Sequence, residues 1–220
     1  NSKAIHPIVL ALLVISLTII LGACGPTVEK GKKPSENWSR SINLGDTIGS
    51  VGMVVDSTDH STHMVWPSDG QDGIFLQYLK LDGNAEIIGQ QDLNFPGSLR
   101  FPGLIMGNDG NLHLLWSSRS SAKEGWALWY TQLSTTGSTT MTPVRLSAME
   151  ASVVNYSLAS DRHGGLLAAW EQDARGEMVL VRIDSAGTII AGPHTFPNPG
   201  SSPTMQVDAD DQIHLAWLEG

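Results

Sequence analysis

From about residue 40 onward, apolar and polar residues alternate in short runs that are broken by Gly, Asp, Asn and Ser. Four segments align without gaps: VVDSTDHSTHMVW (54–66), LIMGNDGNLHLLW (104–116), LASDRHGGLLAAW (158–170) and MQVDADDQIHLAW (205–217). Each has an apolar start, a polar turn, and an apolar strand that closes on Trp66, Trp116, Trp170 or Trp217. A second block follows in three of them, FLQYLKLDGN (75–84), LWYTQLSTTG (128–137) and VLVRIDSAGT (179–188), with period-two alternation ended by a Gly-containing turn. A weaker third block ends at Leu44, Leu93, Leu146 and Phe196. The pattern predicts strand, tight turn, strand, loop, strand, tight turn, strand in each unit. No segment carries a good 3.6-residue apolar stripe, so helices are expected to be nearly absent.

The Trp intervals are 50, 54 and 47 residues, a period that points to a repeat architecture. Four short antiparallel strands per ~50 residues form the blade of a β-propeller. The expected fold is therefore all-β, with about three and a half blades over residues 42–220. WSRSINL (38–44) reads as a leading outermost strand, and the fourth unit stops at Gly220 after its second strand. This predicts a piece of a propeller of six to eight blades. The repeated Trp read as core, because burying a ring of ~150–250 Å² contributes at most roughly 4–6 kcal/mol.

The N-terminal region follows a different pattern. Residues 8–21, IVLALLVISLTIIL, are uncharged, with Lys3 before them and Leu21-Gly22-Ala23-Cys24 after. This is the layout of a secretory signal. The last four residues resemble the lipobox of bacterial lipoproteins. That resemblance implies removal of residues 1–23, acylation of Cys24, and a protein anchored in the bacterial cell envelope facing the extracytoplasmic side. An uncleaved membrane helix is the alternative, since ~17 apolar residues is the lower limit for spanning. Residues 24–41 are polar, with Gly25, Pro26 and Pro34, and read as a flexible tether whose Lys30, Lys32 and Lys33 lie within reach of anionic headgroups.

Composition narrows the function classes. The 22 acidic residues outnumber 13 basic ones, and a net charge of −9 argues against nucleic acid as a partner. The single Cys excludes an internal disulfide framework and a multi-Cys metal site. No G-x-S-x-G elbow and no strand-to-helix phosphate loop is present. No cofactor, metal or catalytic residue is assigned.

The turn with Asp and Gly followed by H-L-x-W resembles the sialidase-type, BNR-like repeats of secreted bacterial proteins, over residues 42–217. Ser57-Thr58-Asp59-His60-Ser61 and Asn108-Asp109-Gly110-Asn111 echo the Asp-box of that family, although the Trp lies further along than the motif places it. The resemblance also implies an alternative function, a sialidase-like glycan hydrolase. Of Arg100, Arg119, Arg145, Arg162, Arg175 and Arg182, however, none sits in a recognisable catalytic context, so the catalytic residues would lie mainly in missing blades. His63, His113 and His214 share one repeat position, where Leu167 stands in the third copy, and are expected to hydrogen-bond within the blade to the preceding turn. Asp208, Asp210 and Asp211 form a dense acidic turn that bears on calcium, but Asp is an ordinary turn former and no loop carries a full ligand set.

Function is expected in the loops. PSDGQDG (67–73), SSRSSAKEG (117–125) and EQDARG (171–176) join second to third strands, and NFPGS (94–98), SAMEAS (147–152) and NPGSS (198–202) join one unit to the next. These loops share one rim and differ in length and charge. Arg119, Lys123, Glu171, Asp173 and Arg175 are the candidate binding residues. The reading is a lipid-anchored binding module for a protein or glycan, leaning away from an enzyme.

Overall fold

The structure, a computed structural model, describes residues 41, 43–173, 176–197 and 199–219. The signal segment, Cys24 and nearly all of the tether therefore lie outside the described residues, as does Arg175. Contacts divide the chain into Asn1–Leu44 and Gly45–Gly220, and the second unit holds all of the regular structure described here. The expected leading strand at 38–44 lies partly outside the described residues, and its residues 41, 43 and 44 are not in a strand.

The described chain is all-β, without a helix. The first sheet contains β1 (Gly52–Val55), β2 (Thr62–Gly70), β3 (Gly73–Leu81) and β4 (Ile87–Leu93). The second contains β5 (Ser98–Met106), β6 (Leu112–Arg119), β7 (Ala127–Leu133) and β8 (Val144–Arg145). The third contains β9 (Val153–Ser160), β10 (Leu166–Gln172), β11 (Glu177–Ile183) and β12 (Ile189–Phe196), and the last pairs β13 (Ser201–Val207) with β14 (Ile213–Leu218). Every sheet is an antiparallel meander in chain order, and the first strands lie side by side, β1 against β5, β5 against β9 and β9 against β13. These are blade-like sheets. Each repeated Trp falls in the second strand of its sheet, with Trp66 opposite Gln77, Trp116 opposite Trp129 and Trp170 opposite Val179.

The apolar runs of the second strands follow from burial on both faces. Because successive side chains point to opposite sides, a strand between two neighbours needs apolar residues at odd and even positions alike. In β6, Leu112, Leu114 and Trp116 pack with Val65, Leu76 and Tyr78 of the first sheet, while Leu115 packs with Leu166, Ala168 and Trp170 of the third. Leu167 and Ala169 turn the other way and meet Met205 of the last sheet. Trp66, Trp116 and Trp170 are buried, and Phe95 stacks on Trp116 with centroids 4.2 Å apart. Trp217, in the two-stranded sheet, is half-buried.

The tight turns explain the Asp, Ser and Gly clusters. In six of them the first amide donates to the carbonyl four residues on, as in Asp82 to Glu86, Ser134 to Ser138 and Asp161 to Gly165. The leading side chain then caps the turn: Asp161 Oδ1 accepts the amides of His163 and Gly165, each at 2.8 Å, and Asp184 and Asp208 repeat this geometry. The turn at 107–111 begins with Gly instead, because the space a Cβ would occupy holds the His113 ring and the Asp109 carboxylate.

Candidate functional site

The meander puts the turns that join first to second and third to fourth strands at one end of the sheets, and the connections from second to third strands and from sheet to sheet at the other. The second-to-third connections are shorter than the expected loops: residues 67–70 belong to β2 and leave the two-residue turn Gln71-Asp72, residues 117–119 belong to β6, and 171–172 belong to β10, because the strand pairing runs to Gly70–Gly73, Ser118–Ala127 and Gln172–Glu177. At the turn end the polar side chains hold the fold together. His63 Nε2 lies 3.1 Å from Ser61 Oγ, His113 Nε2 lies 3.3 Å from Asp109, and His214 Nε2 lies 2.8 Å from Asp208. The shared His position therefore reaches the preceding turn, as the repeat pattern predicts. Neighbouring turns are also joined: Asn108 Nδ2 donates to the Asp161 carbonyl at 2.6 Å, and the Arg162 amide donates to Asp211 at 3.2 Å.

Arg182 stands opposite Leu167, as Gln132 stands opposite His113 in the second sheet, and its Nη2 lies 2.7 Å from the Asp161 carboxylate. Burial acts to raise the Asp161 pKa, but the Gly165 amide and Arg182 outweigh it and hold the group below its ordinary value. The Asp208 carboxylate is likewise held down, first by His214 and then by the Gln212 amide. Asp161 accepts four protein donors and Asp208 three. Among the described residues, no group of three His, Cys, Asp or Glu side chains is arranged to hold a metal ion.

The loop end differs from sheet to sheet. Three residues past Trp66, Trp116 and Trp170 stand Asp69, Arg119 and Asp173, at the end of β2, at the end of β6 and just past β10, so the charge reverses between neighbouring sheets. The loops at 67–73 and 94–98 converge on an open cleft of about 680 Å³ lined by Gln71, Asp72, Asp92 and Asn94 among others. A smaller, almost wholly apolar recess of about 210 Å³ lies between Phe95, Trp116, Trp129 and Pro143.

Four of the five candidate binding residues are described. Lys123 is exposed at the tip of its loop. Glu171 is half-buried, and its Oε2 lies 3.4 Å from both Asn155 Nδ2 and the Ser202 amide, which links the third sheet to the last. Asp173, at φ +61°, accepts the Ser152 amide at 2.8 Å, while its own amide donates to the Ser152 carbonyl at 2.7 Å. Its carboxylate anchors the loop that enters the third sheet.

Arg119 belongs to a cluster. Its guanidinium carbon sits 4.4 Å from the centroid of the Trp126 ring, and that of Arg100 sits 3.8 Å from the same ring. Arg100 also lies over Phe101, at 4.8 Å, and its Nη2 donates to the Val153 carbonyl of β9 at 3.2 Å. The Trp126 amide donates to Ser152 Oγ at 3.2 Å, and its carbonyl accepts the Val153 amide at 2.7 Å. Arg100, Arg119, Trp126, Ser152 and Asp173 thus meet at the joint between the second and third sheets. Among the described residues neither arginine forms an ion pair, and the Nε of each is buried without a hydrogen-bond partner. Burial, and then the like charge of Arg119, lower the pKa of Arg100.

The charge of the rim loops selected Arg119 but gave no reason to join it with Arg100 and Trp126. They come together because β5 and β6 run antiparallel, Ser98 opposite Arg119 and Arg100 opposite Ser117, which puts both arginines on one face. A bulge between Arg100 and Gly103, with Phe101 at φ +49°, bends β5 at this point. The bulge recurs in β13, where Ser202 has φ +54° and Ser201 starts the strand. The bend is architectural, and the arginine on it is specific to the second sheet. No protein-family model matches the chain, and no curated protein is significantly similar to it.

Proposed function

We propose that this chain is a β-propeller binding module, with sialidase-type, BNR-like repeats, held at the extracytoplasmic face of a bacterial membrane by lipid on Cys24, which captures a protein or glycan through the loop end of its blades. Stacked four-stranded meanders with adjacent first strands and apolar faces buried between neighbours support the propeller. The observation that carries the binding function is the contrast between the two ends. At the turn end one hydrogen-bonded closure recurs from sheet to sheet, whereas at the loop end the residue three past Trp66, Trp116 and Trp170 changes from Asp69 to Arg119 to Asp173, and the connection to the third strand changes from the two-residue Gln71-Asp72 turn to residues 120–126, on an otherwise repeated framework.

A binding screen on arrayed glycans and envelope-derived peptides tests this reading. The full chain is compared with Q71S/K123S/E150S, which changes exposed loop tips, and with N84S/D210S, which changes exposed turn tips. A specific ligand that is lost in the loop variant, kept in the turn variant and recovered chemically intact is expected. Equal loss in both, or turnover of the ligand, contradicts it. The anchor is tested by Cys24→Ser, which should release the mature protein from the membrane fraction. Retention at unchanged mass would mean an uncleaved helix.

A further inference from the structure

We propose that Arg100 and Arg119, stacked on Trp126 at the joint between the second and third sheets, form a receptor for the carboxylate of a short acidic peptide segment. This rests on the loop end being the binding face and names what one part of it takes.

Two cations on one ring repel each other, and a partly buried guanidinium has lost hydration without gaining a counter-ion. Both conditions disfavour the arrangement unless an anion completes it. The protein supplies none among the described residues: Asp173, the rim carboxylate closest in the hydrogen-bonding network, is turned onto the Ser152 amide, and Glu171 reaches Asn155 and Ser202. The side chains are nevertheless held in place. Both guanidinium groups lie over the Trp126 ring, and the Val153 carbonyl takes one N–H of Arg100, which reduces the freedom lost on binding. A planar fork of N–H donors matches a carboxylate by paired hydrogen bonds.

Three features select a peptide. Two guanidinium groups already lie over the indole, where they compete with a sugar for the ring. Phe101, 40% exposed beside Arg100, offers an apolar contact next to the charge, and Arg with aromatic residues is the combination that anchors protein partners. The net charge of −9 repels a long polyanion but leaves a short, locally acidic segment little affected.

The test uses the full chain and a fluorescently labelled, acetylated tetraglutamate peptide, read by anisotropy, with tetraglutamine, tetragalacturonate and inorganic sulfate as comparisons. Tetraglutamate is expected to bind saturably and tetraglutamine not to bind. R100Q/R119Q should raise the dissociation constant by about tenfold or more, and R119K, which keeps charge but loses the fork, should fall between. The single variants R119Q and R119K carry the comparison if the double variant does not melt cooperatively. Unchanged affinity in the arginine variants, absence of saturable tetraglutamate binding, or tighter binding of tetragalacturonate or sulfate each overturns the proposal. The loop-tip variant Q71S/K123S/E150S leaves both arginines in place. Array ligands that it loses while tetraglutamate fails to bind would refute the receptor and leave the binding face standing.

Discussion

His113 Nδ1 lies 2.9 Å from the hydroxyl of Tyr130, across the β6–β7 pair and fully buried. Because Asp109 only accepts, the Nε2 of a neutral His113 carries the proton toward it, and Nδ1 accepts from the tyrosine. In the first sheet the same pair, His63 and Tyr78, is 2.7 Å apart with the opposite polarity, because the Tyr78 hydroxyl donates to the Thr135 carbonyl of the second sheet. In the third sheet Leu167 and Leu180 occupy the two positions and pack against the last sheet. The protein thus fills one repeated site either with a satisfied polar pair or with two leucines, which marks the histidines as parts of the fold.

A mutant cycle on this pair should show strong coupling. His113→Leu leaves the Tyr130 hydroxyl buried without its partner and should destabilise by ~1–3 kcal/mol beyond the packing change. Adding Tyr130→Phe removes the orphan and should recover part of that loss. Urea unfolding of the four proteins measures the coupling, and strict additivity would show that the hydrogen bond contributes nothing.

Acid should weaken the fold in two windows. Burial lowers the pKa of His63 and His113, so the unfolded chain binds protons that the folded one refuses. Stability from these groups is complete above ~6.5 and declines as pH falls below it. Asp82, Asp161 and Asp208 are also lowered, and their contribution is lost as pH falls below ~4. Urea midpoints should drop between pH 7.5 and 5, and the drop should shrink in H113L/Y130F. A flat profile over that range, or an unchanged drop in the variant, would contradict the assignment.

Two glycines with similar backbone angles should respond differently to alanine. Gly137 has φ +86°, and a Cβ there would strike the Tyr78 ring of the preceding sheet. Gly110 has φ +79° with open space around it. Gly110→Ala should cost only the left-handed conformation, ~1 kcal/mol, while Gly137→Ala adds the collision at the joint and should cost at least twice as much. Thermal melts rank them, and equal losses would mean that the turn at Gly137 does not bear on Tyr78.

Much of this was legible in the sequence because the local rules agree with one another. The Trp positions, the Asp and Gly turns and the alternation each specify the same meander, and Trp66, Trp116 and Trp170 are buried as the pattern requires. The polarity of the two ends also follows from strand order. What the pattern did not reveal depends on joints between sheets. A carboxylate that caps an amide, as Asp173 does for Ser152, has the same letter as one offered to solvent. Arg100 and Trp126 are 26 residues apart and meet only through the bulge in β5 and the register of β6 with its neighbours.

The most direct test of the binding face is hydrogen exchange on the full chain with and without a ligand retained in the array screen. The account predicts slowed exchange in 94–98, 117–125 and 147–152, with no change in the turns at 107–111, 161–165 and 184–188. Protection at those turns, with the loops unaffected, would contradict it.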